Sequence, residues 1–357
     1  MNECGELRLD QLGKYLEQQA YAEKIPLKGT FELTARCNFN CPMCYVHLNE
    51  GQIKSIGREL SNEEWLEIAR QAKDAGMLYL TLTGGEVFAR PNFRELYEKL
   101  SQMGFLVQIL SNGYLIDEKV MEWLGEIQPY TLRFTLYGAS NETYARVCGV
   151  KDGFDRVSHA VDLVTSAGIP FYMAGTLIKE NIDDLDAMTR FADEKKVEFS
   201  VTPSVVKPVR GATQDAVSHR LEFFPDHKKA LELMIAEGLD RLYDRAENPF
   251  DVCGSYRKGF WITWNGNLQL CSFMSEPAIP LTEGLGFYEG WQLLSEKLEQ
   301  VCYPENCKNC RYEAFCAKCP GLLTAECGGC GNTHEDFCKI AKQLYHDYIS
   351  MTNGGCK

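Results

Sequence analysis

The chain has no apolar run approaching the roughly 18–20 residues that a membrane span needs. Its N-terminus, MNECGELRLDQLGKYLEQQ, also lacks the apolar core of an export signal. Together these place the protein in the cytosol. Positive charge is short as well: 37 Lys and Arg stand against 50 Asp and Glu, a formal net charge of −13, which argues against a nucleic-acid backbone as the main partner. Cytosolic thiols are kept reduced, so the sixteen cysteines do not read as a disulfide framework, and metal binding becomes the leading account. With 357 residues, 45% of them hydrophobic, the chain is globular and long enough for more than one folded unit.

Missing too is a fourth cysteine beside the first cluster. TARCNFNCPMCYVHL, from Thr34 to Leu48, spaces Cys37, Cys41 and Cys44 as Cys-x3-Cys-x2-Cys. A zinc knuckle calls for four ligands, usually as two separated pairs, and disulfides call for an even number. Three thiolates suit three irons of a 4Fe–4S cubane and leave the fourth iron free for an exogenous ligand. The plainer alternative is a loop of buried thiols.

Around this loop, short apolar runs alternate with amphipathic stretches, as in βα units around a parallel sheet. FELTA, MLYLTLTGG, FLVQILSNG, TLRFTLYG, PFYMAGTLI and VEFSVTP predict six strands. In SNEEWLEIARQAKDAG, Ser61 and Glu64 form a capping box and Gly76 supplies the stop. DEKVMEWLGEI and FDRVSHAVDLVTSAG repeat the helical pattern. Right-handed crossovers roll such units into an α/β fold, a partial (β/α)6 TIM-like barrel, with its working face at the C-terminal strand ends. Next comes a connecting helix with Leu231, Met234, Ile235, Leu239 and Leu242 on one face. Eleven of the sixteen cysteines then lie from Cys253 onward, in a glycine-dotted segment held together more by metal than by a core. The expected divisions are an extension at 1–27, the barrel at 28–205, linker helices at 206–250, a cysteine-rich iron–sulfur domain at 251–345 and a tail at 346–357.

The cysteine loop and the barrel resemble the radical S-adenosylmethionine (SAM) superfamily. The resemblance implies that Cys37, Cys41 and Cys44 hold the catalytic cluster, and that TGGEVF offers Gly84, Gly85 and Glu86 to the methionine amino group. Glycines would let backbone approach the ligand while the carboxylate answers an ammonium. Where the family usually has proline after Glu86, this chain has Val87. By the same likeness Ser111, Asn112 and Thr135 contact ribose and carboxylate, and Arg146 binds the methionine carboxylate. Met43 and Tyr45 would pack on adenine, with the Leu177 backbone a further candidate for that ring.

The C-terminal cysteines resemble the SPASM extension of that superfamily, which binds two auxiliary clusters. Cys253, Cys271 and Cys319 would hold the nearer cluster, with Cys302, Cys327, Cys330 or an open position as the fourth ligand. Cys307, Cys310, Cys316 and Cys338 would hold the outer one. The two-residue gap between Cys316 and Cys319 departs from the family's usual three, and a zinc ribbon is the structural rival for Cys307 to Cys319. Cys4, Cys148 and Cys356 match nothing and read as ordinary thiols, with hydrogen return to a substrate radical held in reserve for one of them.

The resemblance implies three 4Fe–4S clusters, bound SAM, a reducing partner such as flavodoxin or ferredoxin, and a peptide or protein substrate. The expected outcome is oxidative modification, with thioether or other crosslinking favoured. Formylglycine formation in sulfatases, peptide epimerisation and small-molecule dehydrogenation are alternatives, and a non-catalytic electron carrier is the alternative from another class. Residues 1–27 are too few for the winged-helix unit with which many crosslinking relatives grip a leader peptide, which raises a separate leader-binding protein or a leaderless substrate.

Overall fold

The computed structural model describes residues 9–221, 249–250, 253–316, 319–329 and 331–353. The connecting helix expected around Leu231–Leu242 lies outside the described residues, as do Cys4, Cys330 and Cys356.

Six parallel strands appear where the apolar runs predict them: β1 (Lys28–Glu32), β2 (Tyr79–Thr83), β3 (Leu106–Ser111), β4 (Thr131–Thr135), β5 (Phe171–Thr176) and β6 (Phe199–Thr202). They pair in sequence order. β1 begins at Lys28, ahead of the expected Phe31, because the chain there is already paired with Tyr79 and Gly259 on its two sides. Helices alternate with the strands: α1 (Leu9–Glu23) precedes β1, and α2 (Glu50–Ile56) and α3 (Asn62–Asp74) follow it. Then come α4 (Phe93–Gln102), α5 (Glu118–Leu124), α6 (Asn141–Cys148), α7 (Gly153–Ser166) and α8 (Leu185–Lys195). The Ser61–Glu64 capping box is formed in both directions. Gly76 ends that helix at φ +109, a conformation that a Cβ would strain. Alternate strand residues Leu80, Leu82, Ile109, Leu132, Phe134 and Met173 are almost wholly buried, packed with helix side chains such as Trp65 and Leu96. Burying such side chains is worth about 1.5–3 kcal/mol each, which fixes the register of the strands that carry them.

The start of the second cysteine field departs from expectation. Residues 259–299 are held by an apolar core: β7 (Gly259–Ile262), β8 (Asn267–Gln269), β9 (Ile279–Pro280) and α9 (Phe287–Glu299) bury Phe260, Ile262, Leu268, Phe287, Trp291 and Leu294. β7 pairs parallel with β1, and β8 and β9 continue antiparallel, giving one sheet in the order β6-β5-β4-β3-β2-β1-β7-β8-β9. A Cβ at Gly29 would lie 2.5 Å from the Phe260 ring, so only glycine admits that ring against β1. Among the described residues beyond α9, only α10 (Pro320–Cys327), α11 (Glu335–Asn353) and short 3-10 turns form, with a small cluster of Phe315 and Ala341 and Tyr312, Tyr345 and Tyr348 beside them.

Candidate radical SAM centre

The loop from Leu33 to Leu48 leaves the C-terminal end of β1 and is stitched to the end of β2. Leu33 N–H donates to Thr83 O at 2.7 Å, Gly85 N–H to Thr34 O at 2.7 Å and Glu86 N–H to Arg36 O at 2.9 Å. A Cβ on Gly84 would sit 2.6 Å from Thr34 O, and one on Gly85 would sit 2.2 Å from Arg36 O. The absent side chains of these two glycines therefore admit the cysteine loop's own backbone.

Glu86 is buried and held by three donors: Phe88 N–H at 3.1 Å and Ser111 Oγ–H at 3.0 Å to Oε1, and Asn112 N–H at 2.8 Å to Oε2. Burial pushes its carboxyl up to about 7, opposed by those hydrogen bonds. A carboxylate accepts about four hydrogen bonds, so one acceptor position remains on Glu86. Ser111 spends its proton on Glu86 while its oxygen accepts from Gly113 N–H at 2.9 Å. The Asn112 amide donates to Asn38 Oδ1 at 2.9 Å and approaches Cys37 Sγ at 3.8 Å. The ends of β2 and β3 thus converge on the cysteine loop.

Of the three cysteines, Cys41 is buried and Cys37 and Cys44 are partly so. Phe39 N–H donates to Cys37 Sγ at 3.4 Å and His47 N–H to Cys44 Sγ at 3.3 Å. Burial, then the nearby Glu86 charge, push the Cys37 thiol up, and burial pushes Cys44 up to about 11. A hydrogen bond with Cys148, then burial, hold the Cys41 thiol well above its ordinary value, while Tyr137 hydrogen-bonds the same sulfur. Cys148 is a fourth thiol beside the three, brought there by the C-terminal end of α6, where Asn40 N–H also reaches Cys148 O at 3.1 Å. Neither Cys148 nor Tyr137 is legible as a neighbour in the sequence, since both contacts are made only by folding. Phe39, Tyr114, Tyr137 and Tyr144 wall this side of the loop with edge-to-face rings.

Among the described residues no three His, Cys, Asp or Glu side chains converge on a single ion. A cubane distributes its thiolates over separate irons, so the relevant fit is several thiols around one space with donors aimed at their sulfurs. Cys37, Cys41 and Cys44 meet that description, and the buried Asn38 Nδ2 beside Cys37 lacks a protein acceptor. The donor set suits the cluster.

The remaining expected residues are scattered more widely. Thr135 closes β4, partly buried, and Met43 is buried. Leu177 is buried, and its N–H is spent on Thr202 O at 2.9 Å. Exposed Arg146 donates to Glu180 O at 2.9 Å and Thr143 Oγ1 at 3.1 Å. Tyr45 faces away toward the second cysteine field: its ring meets Phe273 edge-on at 5.3 Å and its hydroxyl bonds Ser272, with burial pushing the phenol up to about 12.

In that field Cys271 is close to both Cys253 and Cys319, and burial pushes its thiol up to about 11. Gly321 packs there without a Cβ, which would lie 2.9 Å from Cys271 Sγ and 3.7 Å from Cys319 Sγ. Cys307, Cys316 and Cys338 line one small cavity together with His334. Cys310 follows in the same turn, its N–H on Cys307 O at 3.3 Å. Cys302 is exposed, and Cys327 sits beside Glu326 and Lys207.

Two buried charged links that sequence patterning misses tie the fields together. Arg210 grips Glu32 at 2.9 and 3.0 Å, and Trp261 Nε1–H adds a third bond at 3.0 Å. Farther along, Glu326 accepts from Arg220 at 2.6 Å, and Lys207 donates to the Glu326 carbonyl at 2.7 Å.

The chain resembles several known proteins. Residues 31–192 match the model of the radical SAM superfamily. The chain is 31% identical over 167 residues to the PqqA peptide cyclase of Rhizobium meliloti, covering 47% of this chain and 44% of that protein. It is 26% identical over 329 residues to the antilisterial bacteriocin subtilosin biosynthesis protein AlbA of Bacillus subtilis, covering 86% and 67%. The stretch matched to the first of these relatives spans less than half of its length. Among solved structures, Streptococcus suis SuiB bound to precursor peptide SuiA shares the fold with a TM-score of 0.67 at 16% identity, over 95% of this chain and 84% of that one. The stretch that matches the radical SAM superfamily runs from β1 into α8. No helix among the described residues is long and apolar enough to cross a membrane.

Proposed function

We propose that this protein is a radical SAM peptide maturase of the SPASM type, which abstracts hydrogen from a peptide or protein and leaves it oxidatively modified, with crosslinking favoured. Supporting this are relatives named as a peptide cyclase and a bacteriocin biosynthesis protein, and fold neighbours solved with a precursor peptide and with a Kp18Cys peptide. The observation that carries it is the convergence of Cys37, Cys41 and Cys44 with Glu86 and Asn112 at the mouth of a barrel whose far wall includes Cys271.

Cys37, Cys41 and Cys44 would hold a 4Fe–4S cluster, which would supply the electron for reductive cleavage of SAM. The protein's own residues do the rest. Glu86 offers its free acceptor position to an ammonium while its other bonds lock β2 to β3. Backbone donors on Cys37 and Cys44 spread the charge of ligated sulfur. The aromatic wall of Phe39, Tyr137 and Tyr144 excludes water, which protects a reactive radical. Cys253, Cys271 and Cys319 would hold one auxiliary cluster, and Cys307, Cys310, Cys316 and Cys338 another, giving an electron from the substrate somewhere to go. The barrel at 28–205, the auxiliary-cluster unit at 251–345, a flavodoxin or ferredoxin partner, a separate leader-binding protein and a cytoplasmic setting belong to the same proposal.

Reconstituted protein incubated anaerobically with dithionite and SAM should form 5′-deoxyadenosine. Replacing Cys37, Cys41 and Cys44 together with alanine should abolish it; retained cleavage in that variant would sink the reading.

A further inference from the structure

The lumen of this barrel is polar. While one set of strand residues is buried against the helices, the alternate set, including Thr30, Thr81, Gln108, Thr131, Arg133 and Tyr172, is only partly buried. Barrel interiors are ordinarily filled by branched apolar side chains. Here a cavity of about 460 Å³ runs along that face, lined by Lys28, Thr81, Gln108, Thr131 and Trp261 from the strands and by Cys271 from the second cysteine field.

Most charges on this face are already paired. Glu32 is held by Arg210 and Trp261, and Lys28 by Glu17 at 2.5 Å. Gln108 joins Thr81 at 3.4 Å to Tyr172 at 3.0 Å. Arg133 stands in register between Leu110 and Tyr172, and its Nε is buried without a partner. Among the described residues no carboxylate pairs with it. A half-buried guanidinium is costly unless it meets an acceptor, and its planar fork matches a carboxylate.

We propose that Arg133 anchors the carboxylate of an acidic side chain of the peptide substrate inside the lumen. This rests on the peptide-maturase reading above. Arg133 lies two residues before Thr135, about 6–7 Å deeper along the strand than the level where the cofactor is expected. The cavity is lined by Thr131, two residues before Arg133 on the same face of β4, and by Gln108, and it reaches Cys271 of the second cysteine field. Lysine would keep the charge at this position but lose the bidentate geometry.

The experiment uses the full, iron-loaded chain and an equimolar mixture of two synthetic random heptapeptide pools, one with Glu fixed at the centre and one with Gln. Peptides retained by the enzyme are counted by mass spectrometry, and SAM affinity is measured separately by equilibrium dialysis. Wild type should retain the Glu pool about tenfold over the Gln pool, Arg133→Gln should lose that preference, and Arg133→Lys should fall between. Equal retention of both pools by wild type overturns the proposal. So does a rise of tenfold or more in the SAM dissociation constant of Arg133→Gln with the peptide preference intact, which would assign the arginine to the carboxylate of SAM. 5′-Deoxyadenosine formation by wild type stands apart from both readouts, and its absence would count against the maturase reading instead.

Discussion

The two cysteine fields are built on different foundations. Cys37, Cys41 and Cys44 sit on a loop stitched to β2 and β3 by backbone hydrogen bonds, over the main core of the molecule. Cys307, Cys310, Cys316 and Cys338 sit on short turns over a cluster whose fully buried members are Phe315 and Ala341. The first field is shaped by the fold before any iron arrives. The second has little buried apolar surface of its own, and under the proposed auxiliary-cluster reading metal contributes folding energy there. Between them, Cys253, Cys271 and Cys319 belong partly to each: the strands beside them are core-held, while Cys319 lies within the sparse segment, at the start of α10.

Breaking the second field should have the largest effect. Replacing Cys307 and Cys310 with alanine should cost several kcal/mol locally and unfold residues beyond 301, seen as lost protection in hydrogen exchange, while the barrel stays protected. Removing the tie between the halves comes next. Arg210→Leu leaves the buried Glu32 carboxylate with the Trp261 N–H but without its countercharge, and should destabilise the chain by about 3–5 kcal/mol in chemical denaturation. The smallest effect sharpens the first field alone. The carboxyl of Glu86 is raised to about 7 by burial, so the folded state binds its proton more tightly than the unfolded chain does. Its contribution is therefore greatest at acidic pH, below the ordinary carboxylate value. Stability of the iron-free protein should fall as pH rises through about 7, by on the order of 3 kcal/mol in all. Glu86→Gln should flatten that dependence in thermal melts across pH.

What was legible in the sequence follows the same division. The six strands, the Ser61–Glu64 capping box and the cysteine loop at the end of β1 are local patterns, and each formed as expected. Glu86 stood out in the sequence as a candidate, while its three internal donors, from the turn after β2 and from the end of β3, did not. The pairing of β7 with β1 was hidden because its determinant, Phe260 against the bare face of Gly29, joins residues far apart in the chain. The thiol of Cys148 beside Cys41 and the grip of Arg210 on Glu32 were hidden for the same reason. In the second field the cysteines were legible as a pattern of spacing, yet the apolar core beneath residues 259–299 was not, since glycines and short strands mask its periodicity.

The most direct measurement is hydrogen exchange, resolved by peptide, on protein prepared without iron and kept reduced. The account predicts that the segment from Leu33 to Leu48 exchanges as slowly as β2 and β3, while residues 302–350 exchange as an unfolded chain. Rapid exchange across the Cys37–Cys44 loop, with the barrel strands protected, would contradict it, because the first site would then be organised by its cluster and not by the fold.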